Sequence, residues 1–566
     1  MSASPATRRA VGVNRTTGQD GQRSEKAAIV GGTTVQQRLV GALMRSKKLG
    51  ATAARIELLE THISYVLLTG TFAYKIKKTV DFGFLDFTTL AARRFFCEEE
   101  LRLNRRLAPS LYLDVVPITG GIDSPIAGGS GPALEYAVKM REFPQDALAS
   151  RLLAHGELGA ADIDVLAAKV ATFHGAIDVV APDGAFGGPD EILAFARQNF
   201  TQMRPLLDTV AERDEIESLR VWTERAHAAH RDAFLERRER GFIRECHGDL
   251  HLGNIARVDG ELVIFDCIEF NDAMRWIDVM SEVAFTVMDL QGRSRADLAH
   301  RLLNAYLELT GDYAGLAVLP FYLAYRALVR AKIARLRAAQ LDPGPANEAL
   351  LAEYRGYMVL ARSYAQPTAP ALIITCGLSG CGKTTISRAL LETIGAVRVR
   401  SDIERKRLHG LTALDRSDAG SASELYAHAA TVATYDRLRT VARDILVAGQ
   451  IAIVDATFLL RAQREPFRAL AAQLDIPFVI LAFEAKEATL RERIAQRQAE
   501  GNDASDADLG LLESQIAARE PLADDEKEFA IAYDTETPID AARAPAAWAD
   551  LAARLAGGPR PGSSRA

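Results

Sequence analysis

Cysteine, aromatic residues, an excess of one charge and long apolar runs are all scarce in this chain of 566 residues. The five cysteines, at 97, 246, 267, 376 and 381, have no metal-ligand spacing and sit mostly inside apolar runs. They read as reduced thiols of a cytoplasmic protein, not as a disulfide or zinc framework. No apolar run approaches the ~20 residues that span a bilayer, so no transmembrane helix is expected. A net charge of −6 leaves no basic footprint for nucleic acid. Residues 1–34 are polar and rich in Ser, Arg and Gly, without an apolar leader core. They read as a disordered tail with a faint Arg/Ser resemblance to a transit peptide, and residues 557–566 read as a second tail. The remainder is ordinary, at 48% hydrophobic and 25% charged, enough for two to four domains.

What is present is concentrated at Gly377–Thr385, GLSGCGKTT, a match to G-x-x-x-x-G-K-[ST]. The apolar run 371–376 reads as a buried strand before it. After Lys383 the spacing turns helical, with Ile386, Leu390 and Ile394 on one face and Gly395 as the stop. A strand, a glycine-rich loop and a helix N-terminus make a phosphate cradle from backbone N–H groups. Gly377, Gly380 and Gly382 shape that loop, and Thr385 lies in the first helical turn. Lys383 reaches the β/γ-phosphates of ATP, and Thr384 offers a hydroxyl to Mg²⁺. Cys381 lies inside the loop, where a helix N-terminus lowers a thiol pKa, or is there only as a small residue. The prolines of 361–370 mark a linker between a first domain at 36–360 and a second at 371–556.

The first domain opens with strand-like segments at 55–60, 64–68 and 72–80. In the third, Lys75 and Lys77 share one face and Tyr74 and Ile76 the other. A helix over 91–107 carries Glu100 on its apolar stripe, which demands a buried cation unless the carboxylate sits at the stripe's edge. Further on, HGDLHLGN (247–254) is followed by ELVIFDCIEF (261–270). Asp249 and Asn254 lie five residues apart in a loop, and an apolar strand then delivers Asp266. Phosphoryl transfer needs a carboxylate near the acceptor hydroxyl, plus oxygen ligands for Mg²⁺, and this order supplies them.

On these motifs the segment 50–345 resembles the aminoglycoside phosphotransferase/choline kinase-like family, which has a protein-kinase-like fold. The resemblance implies that Asp249 is the catalytic base, that His247 supports the loop, and that Asn254 and Asp266 bind Mg²⁺. It implies that Lys75 holds the α/β-phosphates with Glu100 as its ion-pair partner, Lys77 and Glu99 being the reserve choices. Asp278 would brace the catalytic loop, and Glu135–Met140 would lie at the adenine hinge. Two departures stand out. No G-x-G-x-x-G precedes Lys75, so ETHIS, with Ser64 as hydroxyl donor, has to serve as nucleotide loop. Asp266 is followed by Cys-Ile-Glu. Glu269, Asp272 and Glu282 either attract an amine or form a solvated acidic rim. Arg326, Arg330 and Arg335 fall outside the apolar stripe of the helix 321–341, as solvated charges or an interdomain face.

In the second domain, 396–400 reads as a strand and 401–404 (SDIE) as a capping box opening a helix. Asp402 is then a helix-dipole carboxylate, or it faces a ligand at the end of the strand beside the phosphate loop. Asp402-x-x-Arg405 resembles the acceptor motif of small P-loop kinases such as the polynucleotide 5′-kinases. Asp455, closing the strand 450–456, reads as the second metal acid. Arg493 and Arg497 are like charges at i,i+4, a repulsion that bound phosphate or nearby glutamates would offset; they resemble lid arginines of the same kinases.

The expected fold is α/β multidomain: a protein-kinase-like α+β domain followed by a P-loop NTPase domain with a parallel sheet. The expected function is a Mg²⁺- and ATP-dependent kinase with two nucleotide sites and small-molecule hydroxyl acceptors. Two alternatives stand: a single active P-loop kinase with a nucleotide-binding regulatory module, and a signalling ATPase with no small-molecule acceptor.

Overall fold

A computed structural model describes residues 34–46, 49, 56–83, 85–367, 369–412, 415, 428–496 and 508–556 in full, and the backbone of 497–500. The expected tails at 1–33 and 557–566 lie outside the described residues.

The described residues open with a helix that the sequence reading missed, α1 (Val35–Arg45), capped by Thr34 through a capping box with Gln37. It covers a six-stranded antiparallel sheet of order β1-β2-β3-β6-β4-β5. The strands are β1 (Glu57–Glu60), β2 (Ser64–Leu68), β3 (Phe72–Lys77), β4 (Tyr112–Gly121), β5 (Ser124–Ala127) and β6 (Glu135–Arg141), with α2 (Leu90–Asn104) inserted after β3. The helical half follows: α3 (Ala149–Ala154), α4 (Ala160–Ala176), α5 (Pro189–Met203), α6 (Val210–Ala229) and α7 (Arg231–Glu239). Two small antiparallel ribbons come next, β7 (Ile243–Glu245) with β10 (Trp276–Asp278), and β8 (Ile255–Val258) with β9 (Glu261–Ile264). They frame the loop 246–254. Then come α8 (Val279–Gly292), α9 (Ala296–Thr310), α10 (Leu319–Ala338) and α11 (Pro345–Tyr364).

The second part is a five-stranded parallel sheet of order β12-β13-β11-β14-β15. Its strands are β11 (Leu372–Cys376), β12 (Val397–Arg400), β13 (Ala452–Asp455), β14 (Phe478–Glu484) and β15 (Ala530–Asp534). Its helices include α12 (Lys383–Ile394), α13 (Ser401–Leu408), α14 (His428–Val447), α15 (Arg461–Gln473), α16 (Glu487–Glu500) and α17 (Leu509–Ala518). The near-continuous apolar runs of β11 and β14 suit strands buried on both faces. These are the two expected folds, a kinase-like α+β unit and a P-loop parallel sheet.

The expected linker 361–370 is shorter than the prolines suggested. Residues 361–364 are the last turn of α11, and Ala361 is fully buried there. The two parts share one apolar cluster, in which Leu303, Leu307 and Tyr313 join Val397, Val399 and Leu438. Polar groups cross the same junction. Arg301 of α9 binds both Asp164 of α4 and Glu392 of α12. Arg398 of β12 binds Glu308 of α9 at 2.7 Å. The Asn304 amide nitrogen donates to the Ala396 carbonyl (3.0 Å), and its oxygen accepts from the Arg398 N–H (2.7 Å). Gly395, the left-handed C-cap of α12 at φ 73°, lies where a Cβ would meet the His300 ring at 2.9 Å. A side chain there would collide with α9 as well as strain the cap.

Candidate active sites

In the first site, period-two alternation along β3 puts Lys75 and Lys77 on one face, as expected, and both are buried. They share Glu100 of α2: Lys75 Nζ reaches Oε1 at 2.8 Å and Lys77 Nζ reaches Oε2 at 2.7 Å. Burial alone would raise the Glu100 carboxyl, but the two ammonium groups hold it at about 2. Lys75 also pairs with Asp266, and Lys77 with Glu269. The reserve choice Glu99 turns away to Arg102.

The loop after β7 carries the remaining groups. The Asn254 amide nitrogen donates to the Asp249 carbonyl and to its carboxylate Oδ2, both at 3.0 Å. That leaves the Asn254 side-chain oxygen free of those bonds. Burial alone would raise the Asp249 carboxyl, but His251, 3.5 Å away, outweighs it and holds it below the usual carboxylate range. His247 Nε2 donates to the Phe265 carbonyl at 2.8 Å, and its Nδ1 accepts from the Asp249 N–H, so it ties the loop to the segment bearing Asp266. Asp266 itself has a left-handed backbone, φ 63°, which swings its carboxylate to Lys75. Lys75, Asp249 and Asp266 line one cavity of about 790 Å³.

Several expectations change here. Ser64 is fully buried in β2 with an unpartnered hydroxyl and is not on the cavity wall; Thr61, His62 and Ile63 of the same turn are. The bonds of Asp278 go elsewhere than the catalytic loop: it pairs with Arg237 through two bonds of 2.7 Å and caps α8 at the Met280 N–H. The bracing falls to residues the sequence reading placed elsewhere or did not single out. Glu282 accepts the Gly248 N–H (2.7 Å), Asp289 accepts the Leu252 N–H (2.9 Å), and Arg326 donates to the Gly248 carbonyl (3.1 Å). Glu282 and Glu269 are therefore buried, partnered groups and not an acidic rim; Asp272 remains exposed, beside Arg275. Arg326 and Arg335 are buried as well, the latter paired with Asp208, and Arg330 is half-buried with Glu353. Two acids two turns apart on the otherwise apolar α8, Glu282 and Asp289, were the available signal.

In the second site, the phosphate loop holds the shape its glycines permit. Gly380 (φ 82°) and Gly382 (φ 83°) are left-handed, and Gly382 is the N-cap of α12. Gly377 lies beneath the loop, where a Cβ would meet Cys381 Sγ at 2.7 Å. Lys383 Nζ donates to the Gly377 and Leu378 carbonyls at 2.9 and 2.8 Å and lies 3.7 Å from the buried Cys381 sulfur. Asp455 closes β13 and accepts from the Ser387 hydroxyl at 3.2 Å. Lys383, Thr384, Thr385, Asp402, Arg405, Asp455 and Arg493 all line one cavity of about 510 Å³. Hard oxygen donors suit Mg²⁺, and Thr384 and Asp455 supply a hydroxyl and a carboxylate there.

The capping box at Ser401–Glu404 does not form: Arg400 is the N-cap of α13 and makes no side-chain cap bond. Glu404 is instead fully buried between Arg407 and Arg437, which outcompete a backbone N–H for its charge. Asp402 faces the cavity. Arg493 donates to the Thr535 hydroxyl and carbonyl at 3.1 and 2.8 Å, beside Gly382. The Arg497 side chain lies outside the described residues.

Comparison with known proteins agrees with this division. The family described as Phosphotransferase enzyme family matches residues 95–319, and the AAA domain matches residues 372–522. An uncharacterized protein of Mycobacterium tuberculosis (strain ATCC 25618 / H37Rv) is 30% identical over 468 residues, covering 82% of this chain and 90% of that one. Among solved structures, a choline/ethanolamine kinase family protein from Mesorhizobium loti is 12% identical, with a TM-score of 0.37, covering 59% of this chain and 95% of its own. A gluconokinase from Sinorhizobium meliloti 1021 is 21% identical, with a TM-score of 0.24, covering 34% of this chain and 99% of its own. Both matched segments support phosphotransfer. Among the described residues no helix is long and apolar enough to cross a membrane. The chain belongs to the same family as the mycobacterial protein and joins a phosphotransferase-family domain to an AAA domain.

Proposed function

We propose that the chain is a Mg²⁺- and ATP-dependent phosphotransferase with two centres, each moving a phosphoryl group to a hydroxyl of a small molecule. The observation that carries this reading is the convergence of Lys75, Asp249 and Asp266, from three distant segments, on one cavity wall. In the first centre Lys75, oriented by Glu100, holds the nucleotide phosphates. Asn254 and Asp266 hold Mg²⁺, and Asp249 takes the acceptor's proton. A carboxylate ionised across the physiological range can accept the hydroxyl's hydrogen bond and orient it before transfer.

In the second centre the phosphates lie against the loop N–H groups and Lys383, and Thr384 and Asp455 hold Mg²⁺. A water-hydrolysing ATPase has no need of Asp402 and Arg405 on the same wall. In a kinase Asp402 accepts the hydroxyl proton, Arg405 holds the acceptor, and Arg493 steadies the transferring group. Bound MgATP supplies the phosphoryl group and neutralises its charge. The test is a calorimetric titration of MgATP into Lys383→Ala. One site should remain, with the affinity of the first centre; a variant that takes up no nucleotide removes the first centre from the scheme.

A further inference from the structure

The first centre's cavity extends well past Asp249, between α5 and α10. Positions 322, 325, 326, 329, 333 and 336 of α10 face it at helical spacing, as do 192, 195, 199 and 202 of α5. Its far wall is apolar: Ile192, Phe195, Trp276, Tyr325, Val329 and Ile333. Trp276 is held by stacking on Phe186 at 6.2 Å between centroids. Such a wall fits an aromatic or branched apolar body.

The charges on this wall that lack an ion-pair partner lean positive, two cations against Glu191 alone. Asp249 and Asp266 belong to the phosphoryl-transfer machinery, Glu269 is neutralised by Lys77, and Asp278 by Arg237. Glu191 accepts the Gly187 N–H at 2.6 Å. Two cations of α10 also line the cavity, Lys332 and Arg337, and among the described residues neither has a carboxylate partner. Burial lowers the Lys332 pKa to about 8, the mark of an ammonium drawn from water without a counter-ion.

We propose that the acceptor of the first centre is an anionic hydroxyl compound with an apolar, aromatic-sized body, its negative group held by Lys332 and Arg337. This rests on the phosphotransferase reading of that cavity. A polycationic acceptor would place amines against Lys332 and Arg337, with only Glu191, a carboxyl that burial raises, to receive them. A hydroxy acid instead sets its body on Phe195 and Trp276 and supplies the missing counter-charge.

The test uses the full chain and three probes of one shape: 3-phenyllactate, its methyl ester, and the cationic amino alcohol phenylalaninol. Titrated calorimetrically in the presence of a non-hydrolysable MgATP analogue, 3-phenyllactate should bind about tenfold tighter than the ester, and phenylalaninol weaker than either. Lys332→Gln should erase most of the acid's advantage and leave the ester's affinity within twofold. Arg337→Gln, at an exposed position that folding does not need, should weaken the acid alone by severalfold. Phenylalaninol binding as tightly as the acid, or an acid that does not bind, overturns the proposal. Nucleotide titration of Lys383→Ala separates the two levels: no nucleotide sinks the phosphotransferase reading, whereas bound nucleotide without anion preference sinks only the acceptor class.

Discussion

Lys75 and Lys383 are both buried lysines facing a cavity, yet their surroundings differ in kind. Lys75 sits between two carboxylates, Glu100 and Asp266, contributed by segments 25 and 191 residues away. Lys383 is held by the carbonyls of Gly377 and Leu378, six and five residues before it. One centre is assembled by tertiary folding from scattered ionised side chains. The other is folded locally from main-chain groups of a single loop. Disturbance should therefore spread differently: a charge removed from the first centre strands its partners, whereas the loop of the second tolerates changes around it as long as its glycines remain.

The largest separation between the centres comes from their candidate bases. Asp249→Asn should lower transfer at the first centre by about 10³-fold, and Asp402→Asn should lower it at the second by about 10²-fold or more, each with MgATP affinity kept within a few-fold. Transfer assays in each single variant, with the other centre as internal control, measure both. An unchanged rate in Asp402→Asn would leave that residue a half-buried carboxylate in the first turn of α13 and nothing more.

The junction should respond next. Arg398→Ala removes the nearer of the two arginines, the other being Arg400, that keep the half-buried Glu308 below the usual carboxylate range, against the burial that would raise it. A loss of about 3 kcal/mol is expected, read by urea unfolding. Because Arg398 also donates to the Thr384 carbonyl (2.8 Å) and the Ser387 hydroxyl (3.0 Å), nucleotide binding at the second centre should weaken too.

A subtler contrast is acid sensitivity. Glu100 is lowered to about 2 in the fold, so the stability it contributes is present above its ordinary value near 4.5 and is lost as pH falls toward 2. Glu100→Gln should flatten that part of the acid-unfolding curve; an unaltered curve would mean that Lys75 and Lys77 do not depend on it. The smallest effect is expected from a chain starting at Thr34. It keeps the α1 cap and Gln36, which donates to the Lys77 carbonyl at 2.8 Å, so its melting temperature should match that of the full chain.

The same contrast explains what could be read in advance. The phosphate loop, Asp455 and the Asp249/Asn254/Asp266 order are short-range patterns with a chemical reason for their spacing, and each lands on its cavity or beside it. Lys75 and Glu100 were legible because a buried carboxylate on an apolar stripe demands a cation. Arg326 was not, because α10 is buried on several sides at once, and a position off the main apolar stripe still faces protein. Ser64 failed for a related reason: the edge of a strand pair looks open in sequence and is closed here by the turn before it. The SDIE capping box failed because Glu404 had a stronger, distant partner.

Asn304 carries one further consequence. β12 is the outer strand of the parallel sheet, and its free edge shows the Ala396 carbonyl and the Arg398 N–H, flanking Val397. The Asn304 amide meets both groups as a peptide of a neighbouring parallel strand would. The kinase-like half thus caps an edge that would otherwise recruit another chain. Released from α9, the sequence VRVR of Val397–Arg400 would be a bare template for strand addition, its arginines the only guard against edge-to-edge aggregation.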